Sequence, residues 1–337
     1  MSETSLQTET YTSDGYFLAG VDGGGTKTRS VITDSQFRVL GAAVAGPSNP
    51  LRVGVDRAVE AVVQALDGAC SAVGIDRSQL AAMGIGLGGV RHAHHHQATS
   101  RALGRTLSTE AFVLVPDAEI ALFGATGGKP GIVVIAGTGS VACGLNARGE
   151  VVYSGGWGPT FGDEGSGYDI ARRALMAAAA DVDGRGRPTA LTAQICHWFA
   201  VSSPMELLSI IYRHDQPGGS PQIASLAQLV VSVAEQGDPV AGEILRHAGT
   251  ELGRAVVAVI QRLQMTRMAF RVAYVGSVFQ AGELILKPLR QAVTTVAPRA
   301  WVTAPLYPPA VGAAMLAEQR LAVPELQFSH GGARMRS

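Results

Sequence analysis

No excess of charge of either sign marks this chain: 27 Lys and Arg balance 27 Asp and Glu. That balance argues against a nucleic-acid or anionic-membrane partner, which would leave a basic excess or a basic stripe. Nor does any apolar run approach the roughly 20 residues that a membrane span needs. Cysteine is scarce. Cys70, Cys143 and Cys196 are odd in number and widely spaced, form neither a metal-type pair nor a disulfide set, and point to a reducing cytoplasm. Aromatic residues make up only 6% while glycine numbers 42, which suits a tightly packed α/β fold. Residues Met1–Tyr16 are polar and lack an apolar core, so they read as a disordered tail and not as a secretion signal. The remaining length is enough for two domains, each with its own core.

What is present is glycine in two special places. The segment FLAGVDGGGTKTRSVITD, Phe17–Asp34, runs an apolar strand into Asp22, then Gly23, Gly24 and Gly25, then Thr26 and Lys27, and at once a second strand. A glycine turn that exposes several N–H groups beside a carboxylate suits a phosphate with its metal ion. The same design returns in GIVVIAGTGSVACGL, where a strand meets Gly137, Thr138, Gly139 and Ser140 and another strand follows. Two phosphate-type hairpins suggest two related domains that grip one nucleotide. A P-loop is excluded because Thr26 stands where its lysine belongs and strand follows. The dinucleotide fingerprint formally matched by Gly137–Ala142 is excluded as well, because Asn146-Ala147-Arg148-Gly149 closes a hairpin where a helix should begin.

Along the chain, Val39–Val44 reads as a third strand and Gly46–Pro50 as a loop. Val55–Val73 is helical, with Val59, Val62, Val63, Leu66 and Ala69 at helical spacing. Ala81–Leu87 is a strand ending at Gly88-Gly89, Ala98–Leu107 a helix, and Phe112–Val115 a strand ended by Pro116-Asp117. This βββαβαβα order predicts one half of a two-domain protein. The second half opens with its own hairpins, enters a helix after Gly162–Gly167, and continues through one long, bent helix over Asp238–Gln264, a strand at Arg271–Val275 and a last helix at Pro308–Leu321. Arg91-His92-Ala93-His94-His95-His96 is expected as a solvent loop, since three adjacent histidines cannot all face one ion on a regular element.

With these residues in place, the chain resembles the N-acetylglucosamine kinase branch of the actin-like sugar-kinase superfamily, the BadF/BadG/BcrA/BcrD-type ATPases. GVDGGGTKT resembles the first phosphate motif and AGTGS the second. GGWGPTFGDEGSGYDIARRAL resembles the sugar-binding signature, YVGSVFQAGELILKPL the nucleotide-side glycine motif, and PPAVGAAMLA the returning C-terminal helix. The resemblance spans Phe17–Leu321. It implies an α/β, two-domain actin-like (ribonuclease-H-like) fold with an interdomain cleft for ATP and substrate. The implied boundaries are a tail at 1–16, an N-terminal domain at 17–123, a C-terminal domain at 124–307, a returning helix at 308–321 and a tail at 322–337.

The implied activity is ATP- and Mg²⁺-dependent phosphoryl transfer to an amino sugar such as N-acetylglucosamine or glucosamine, at the 6-hydroxyl. A homodimer is implied at the level of the family. Asp22 is the candidate Mg²⁺ partner. Gly23, Gly24, Gly25, Thr26 and Lys27 from one side, and Gly137, Thr138, Gly139 and Ser140 from the other, would meet the phosphates. Gly276 and Ser277 would approach the adenosine. Spacing leaves Asp117 equally readable as a helix cap or as the base that takes the sugar proton; the resemblance implies the base. For the sugar it implies Asn49, Thr138, Gly156, Trp157 and Asp163, with core packing the other reading of Trp157. Val141-Ala142 stands where related kinases carry an Asn, and Gly88-Gly89 replaces a hydroxyl-rich loop, so the N-acetyl preference stays open. Two rivals are an activator ATPase of a 2-hydroxyacyl-CoA dehydratase or benzoyl-CoA reductase system, which needs cysteine ligands for an Fe–S cluster, and a catalytically silent sugar sensor.

Overall fold

The computed structural model describes residues 15–109, 111–214 and 221–322. The tails expected at the two ends lie outside these residues, apart from Gly15, Tyr16 and Ala322, as does the connection at 215–220. The chain divides into two compact units. One holds the chain through Ile120 and again from Ala313, the other Ala121–Gly312.

In the first unit the strands are β1 (Phe17–Gly23), β2 (Thr28–Thr33), β3 (Val39–Ala45), β4 (Leu80–Leu87) and β5 (Phe112–Pro116), ordered β3-β2-β1-β4-β5. Pairing is antiparallel from β1 through β3 and parallel from β1 through β5. Its helices are α1 (Pro50–Val53), α2 (Val55–Val73), α3 (Ala93–Leu107) and the start of α4 (Asp117–Thr126). All of the apolar residues that mark α2 in sequence are buried except Val63, and its end is set by Gly74 in the left-handed conformation. Strand alternation sends Ala19, Val21, Ile32, Ile85 and Leu87 into one core with α2 and α3. Leu18 and Ala82 project into a separate cluster.

The second unit repeats the plan. Its strands β6 (Gly131–Ala136), β7 (Ser140–Leu145), β8 (Val151–Gly155), β9 (Arg271–Val275) and β10 (Trp301–Thr303) are ordered β10-β9-β6-β7-β8, with β6–β8 antiparallel and β6, β9 and β10 parallel. The helices are α5 (Gly167–Val182), α6 (Leu191–Trp198), α7 (Leu207–His214), α8 (Pro221–Ala224), α9 (Leu226–Glu235), α10 (Pro239–Arg262) and α11 (Glu283–Val296). One large core joins Ile132, Val134, Ala142 and Val272 of the sheet to α5, α9, α10 and α11. Both units are thus ribonuclease-H-like α/β layers. The last helix, α12 (Pro309–Ala322), starts in the second unit and closes the Leu18–Ala82 cluster of the first with Ala314 and Ala317.

Two local readings are corrected. The histidine run is not a loop: Ala93–His96 form the first turn of α3, after His92 at the N-cap position. That turn has neither an acidic residue nor a capping side chain, so the usual start signals are missing; the His96 ring instead donates Nε2–H to the Leu114 carbonyl at 2.9 Å. The Gly46–Pro50 loop ends sooner, because Asn49 caps the single turn α1 by accepting from the Leu51 N–H at 3.0 Å. In α10, Gly249 and Gly253 serve contact with α11. A Cβ at Gly249 would overlap the Ile285 carbonyl, and one at Gly253 would lie 2.7 Å from the Ala292 methyl.

Candidate functional site

In the first unit, the predicted residues gather at the ends of β1, β4 and β5. Asp22 is the penultimate residue of β1, opposite Arg29 on β2 and Gly86 on β4. The turn after it closes through a Gly24 N–H to Lys27 carbonyl bond of 3.1 Å, leaving Thr26 and Lys27 exposed. Main-chain bonds then draw in the neighbouring segments. The Gly24 carbonyl accepts from the Ser48 and Asn49 N–H groups at 3.0 and 3.1 Å, and the Gly23 carbonyl accepts from Gly88 N–H at 2.9 Å. Asn49 is thereby held beside Gly88 and Gly89. Gly89 has φ +87°, and any Cβ there would overlap the Asn49 carboxamide oxygen, so only glycine fits both the angle and the contact.

Asp117 completes this group. It follows β5 directly and opens α4, with Oδ1 accepting from the Ala118 N–H at 2.9 Å. Asp117 Oδ2 and Asn49 Nδ2 lie 3.2 and 3.3 Å from the place where Gly88 would carry a Cβ. The side chain reaches solvent although protein surrounds it densely, and the loss of bulk water raises its pKa against two backbone hydrogen bonds that lower it. Asp22, half-buried, is pushed up to about 6, first by desolvation and then by the Asp117 charge, with Arg29 and Lys27 pulling the other way. Two carboxylates of raised pKa beside an amide make a site fitted to a cation and to a hydroxyl proton.

The second unit carries the other glycine turn. Gly137 and Ser140 bracket the β6–β7 hairpin, with Thr138 exposed between them. The segment Gly155–Tyr168 is stitched onto it. Gly137 carbonyl accepts from Gly167 N–H at 2.8 Å, Thr138 carbonyl from Tyr168 N–H at 3.3 Å, and Ser140 carbonyl from Gly156 N–H at 2.9 Å. Ser140 Oγ donates to the Glu164 carbonyl at 2.8 Å, and Asp163 Oδ1 accepts from Ser140 N–H at 3.2 Å. Trp157 and Phe161 are 62% and 72% exposed, with ring centroids 6.0 Å apart, which removes core packing as the role of Trp157. They line a cavity of about 240 Å³ together with Ser140, Val141 and Glu164. Ala142, by contrast, is fully buried in the core and reaches no ligand.

A second cavity of about 370 Å³ opens beside the same turn, bounded by Gly137, Thr138 and Ser277. Gly276, with φ +119°, packs against the Ala136 carbonyl at the end of β6. The remaining wall comes from residues that the sequence reading did not single out. Ser225, Gln228, Ser232 and Glu235 line it from α9 and the residue before it, and Ile170 and Val278 give it apolar surface. Their three- and four-residue spacing is a helix face, a signal available in sequence but masked by the apolar run Leu226–Val233. A nucleoside-sized hollow with apolar sides and polar edges beside a glycine turn is a fitting receptacle for a nucleotide.

Among the described residues no group of three or more His, Cys, Asp or Glu side chains is placed to hold a metal, and no helix is long and apolar enough to cross a membrane. Comparison with known proteins agrees with this chemistry. A family model described as the BadF/BadG/BcrA/BcrD ATPase family matches residues 19–317. An N-acetylmuramic acid/N-acetylglucosamine kinase of Clostridium acetobutylicum is 32% identical over 303 residues, 89% of this chain and 98% of the relative. The glucosamine kinase GspK of Vibrio cholerae is 28% identical over 81% of this chain and 88% of its own length. A solved structure, a candidate N-acetylglucosamine kinase of Chromobacterium violaceum, superposes with a TM-score of 0.72 at 30% identity, covering 90% of this chain and 99% of that one.

Proposed function

Because the chain belongs to the BadF/BadG/BcrA/BcrD ATPase family, we infer that it is an ATP-dependent amino-sugar kinase that transfers the γ-phosphoryl group to a sugar hydroxyl. The observation that carries this reading is the placement of Asn49 and Asp117 around Gly88, with Asp22 close enough to feel the Asp117 charge. Asn49 orients ring hydroxyls. Asp117 accepts the proton of the attacking hydroxyl, and its raised pKa suits it to hold that proton. The new bond joins the sugar oxygen to the γ-phosphorus; the bond to the bridging oxygen breaks, and ADP leaves.

The donor set fits Mg²⁺. Asp22 supplies a single carboxylate, and Mg²⁺ characteristically completes its shell with water and phosphate oxygens. When bound it would neutralise charge on the phosphates and offset the burial that raises the Asp22 pKa. Gly23–Lys27 of the first unit and Gly137–Ser140 of the second would supply phosphate contacts. The cavity that includes Ser277 would take the nucleoside. The 6-hydroxyl, a primary alcohol, is the acceptor we propose. Trp157 offers its face to the sugar, a common use of an exposed ring. A homodimer, implied by the resemblance, is part of the same reading.

The test is Mg·ATP consumption against N-acetylglucosamine, glucosamine, glucose, N-acetylmannosamine and N-acetylmuramic acid, with Asp117→Asn run alongside. ADP release that needs an amino sugar and falls about a thousandfold in the variant is the expected result. Release independent of every sugar, or full activity in Asp117→Asn, would overturn the kinase reading.

A further inference from the structure

One cation of the first unit stands at the glycine turn after β1 without a counter-charge. Arg52 belongs to the single turn α1, whose frame is tied to that glycine turn. The Gly24 carbonyl accepts from the Ser48 and Asn49 N–H groups, and the Arg52 N–H donates to the Asn49 carbonyl at 2.9 Å. From this fixed start the side chain folds back onto Gly25. A Cβ built there would meet Arg52 Cδ at 3.1 Å, Cζ at 3.3 Å and the terminal nitrogen Nη1 at 3.0 Å. Gly25 lies outside the left-handed region, so its φ does not demand glycine; the missing side chain leaves the space in which the guanidinium stands. Exposed arginines elsewhere, Arg38 and Arg148 among them, are paired with carboxylates. Arg52, also exposed, has no ion pair and no side-chain hydrogen bond among the described residues. The neighbouring cations Lys27 and Arg29 act on Asp22.

We propose that Arg52 is an oxyanion-binding residue: its guanidinium, laid over Gly25, takes anionic oxygens of a bound reactant. This rests on the kinase reading above and adds to it a residue that the sequence did not single out. A guanidinium stays charged at any working pH and presents a planar fork of N–H donors matched to two oxygens of one phosphoryl or carboxylate group. An incoming anion is repelled by Asp22 and Asp117, and an unpaired cation beside them offsets that repulsion. The same chemistry has two sources. One is the phosphoryl group in transfer, met by the glycine turn on which Arg52 lies. The other is a carboxylate carried by the sugar, which Asn49, three residues earlier, would hold.

Steady-state kinetics at saturating Mg·ATP and calorimetric binding of N-acetylglucosamine and of N-acetylmuramic acid, which adds a carboxylate, separate these sources in wild type, Arg52→Gln and Arg52→Lys. Losing one charge-assisted contact corresponds to roughly tenfold to a hundredfold. If the phosphoryl group is the anion, kcat of Arg52→Gln falls by that factor for every sugar turned over, with N-acetylglucosamine affinity within twofold of wild type. If the sugar carboxylate is the anion, affinity for N-acetylmuramic acid falls by that factor while N-acetylglucosamine kinetics stay within twofold. Where wild type binds no N-acetylmuramic acid, kcat alone decides. Arg52→Lys, which keeps the charge and loses the fork, should recover part of either loss. Values within twofold of wild type for both sugars in Arg52→Gln overturn the proposal. Equal loss of affinity for both sugars with a lowered melting temperature also overturns it, and makes Arg52 a structural residue. If Arg52→Gln does not fold, Arg52→Lys decides by the same readouts. Wild-type protein whose ADP release depends on no sugar overturns the kinase reading, and this assignment with it.

Discussion

Replacing Asp22 by Asn should stabilise the ligand-free protein while destroying its activity. Burial and the Asp117 charge raise the Asp22 pKa from 3.8 to about 6 despite Arg29 and Lys27. The folded state thus favours the neutral acid more than the unfolded chain does, and the charged form is what the fold penalises. Below 3.8 the group is neutral in both states and the penalty is absent. It grows between 3.8 and about 6 and is fully present above that. Stability is therefore lost as pH rises through this window. The full shift corresponds to about 3 kcal/mol, and solvent screening of a half-buried group brings it to about 1–2 kcal/mol. Asn cannot ionise, so at pH 8 the variant should melt roughly 2–8 °C higher. Scanning calorimetry of both proteins, without nucleotide or Mg²⁺, reads the difference at pH 8 and again at pH 4, where it should close. A variant that melts lower at pH 8, or by the same margin at both pH values, would refute the electrostatic account. Loss of sugar-dependent ADP release by the same stabilised variant would mark Asp22 as a group kept for function at the expense of stability.

Two further outcomes follow from close contacts. Gly89→Ala places a methyl on the Asn49 carboxamide at a φ unfavourable to alanine, so sugar KM should rise at least tenfold with a thermal loss of about 1–3 kcal/mol, both read from steady-state kinetics and melting. Ser232→Trp puts an indole into the cavity of about 370 Å³ from an exposed position on α9. It should raise the KM for ATP by about a hundredfold at nearly unchanged melting temperature, and an unchanged KM would remove that cavity as the nucleoside site.

Some of this molecule was readable before any coordinates. Helix α2 was, because its apolar residues recur on one stripe and Gly74 ends it. Both glycine hairpins were, because strand–glycine–strand is a local pattern complete within a few residues. The first turn of α3 was not: its start rests on a ring-to-carbonyl bond with Leu114, 18 residues away, and distant partners leave no periodic mark. Asp163 illustrates the same limit for contacts. Its carboxylate accepts from a main-chain N–H 23 residues earlier, and a backbone donor has no sequence identity to read. The polar face of α9 lay between the two cases, spaced like a helix face but interleaved with Leu226, Val230 and Val233 of the core.

The two units differ in how much of the chain each must wait for. Among the described residues the second is one stretch, Ala121–Gly312, whereas the first is finished only by α12 residues from Ala313 onward. During synthesis the ribosome delivers every strand of the first sheet early, yet Leu18 and Ala82 have only Phe37 against them until Ala314 and Ala317 emerge. The second unit is therefore the first able to complete its core, reversing the usual amino-to-carboxyl order. The nascent amino-terminal sheet must wait with an apolar strip open to water. A premature stop just before α12 would leave a protein with both glycine turns present and an unsealed surface prone to aggregation.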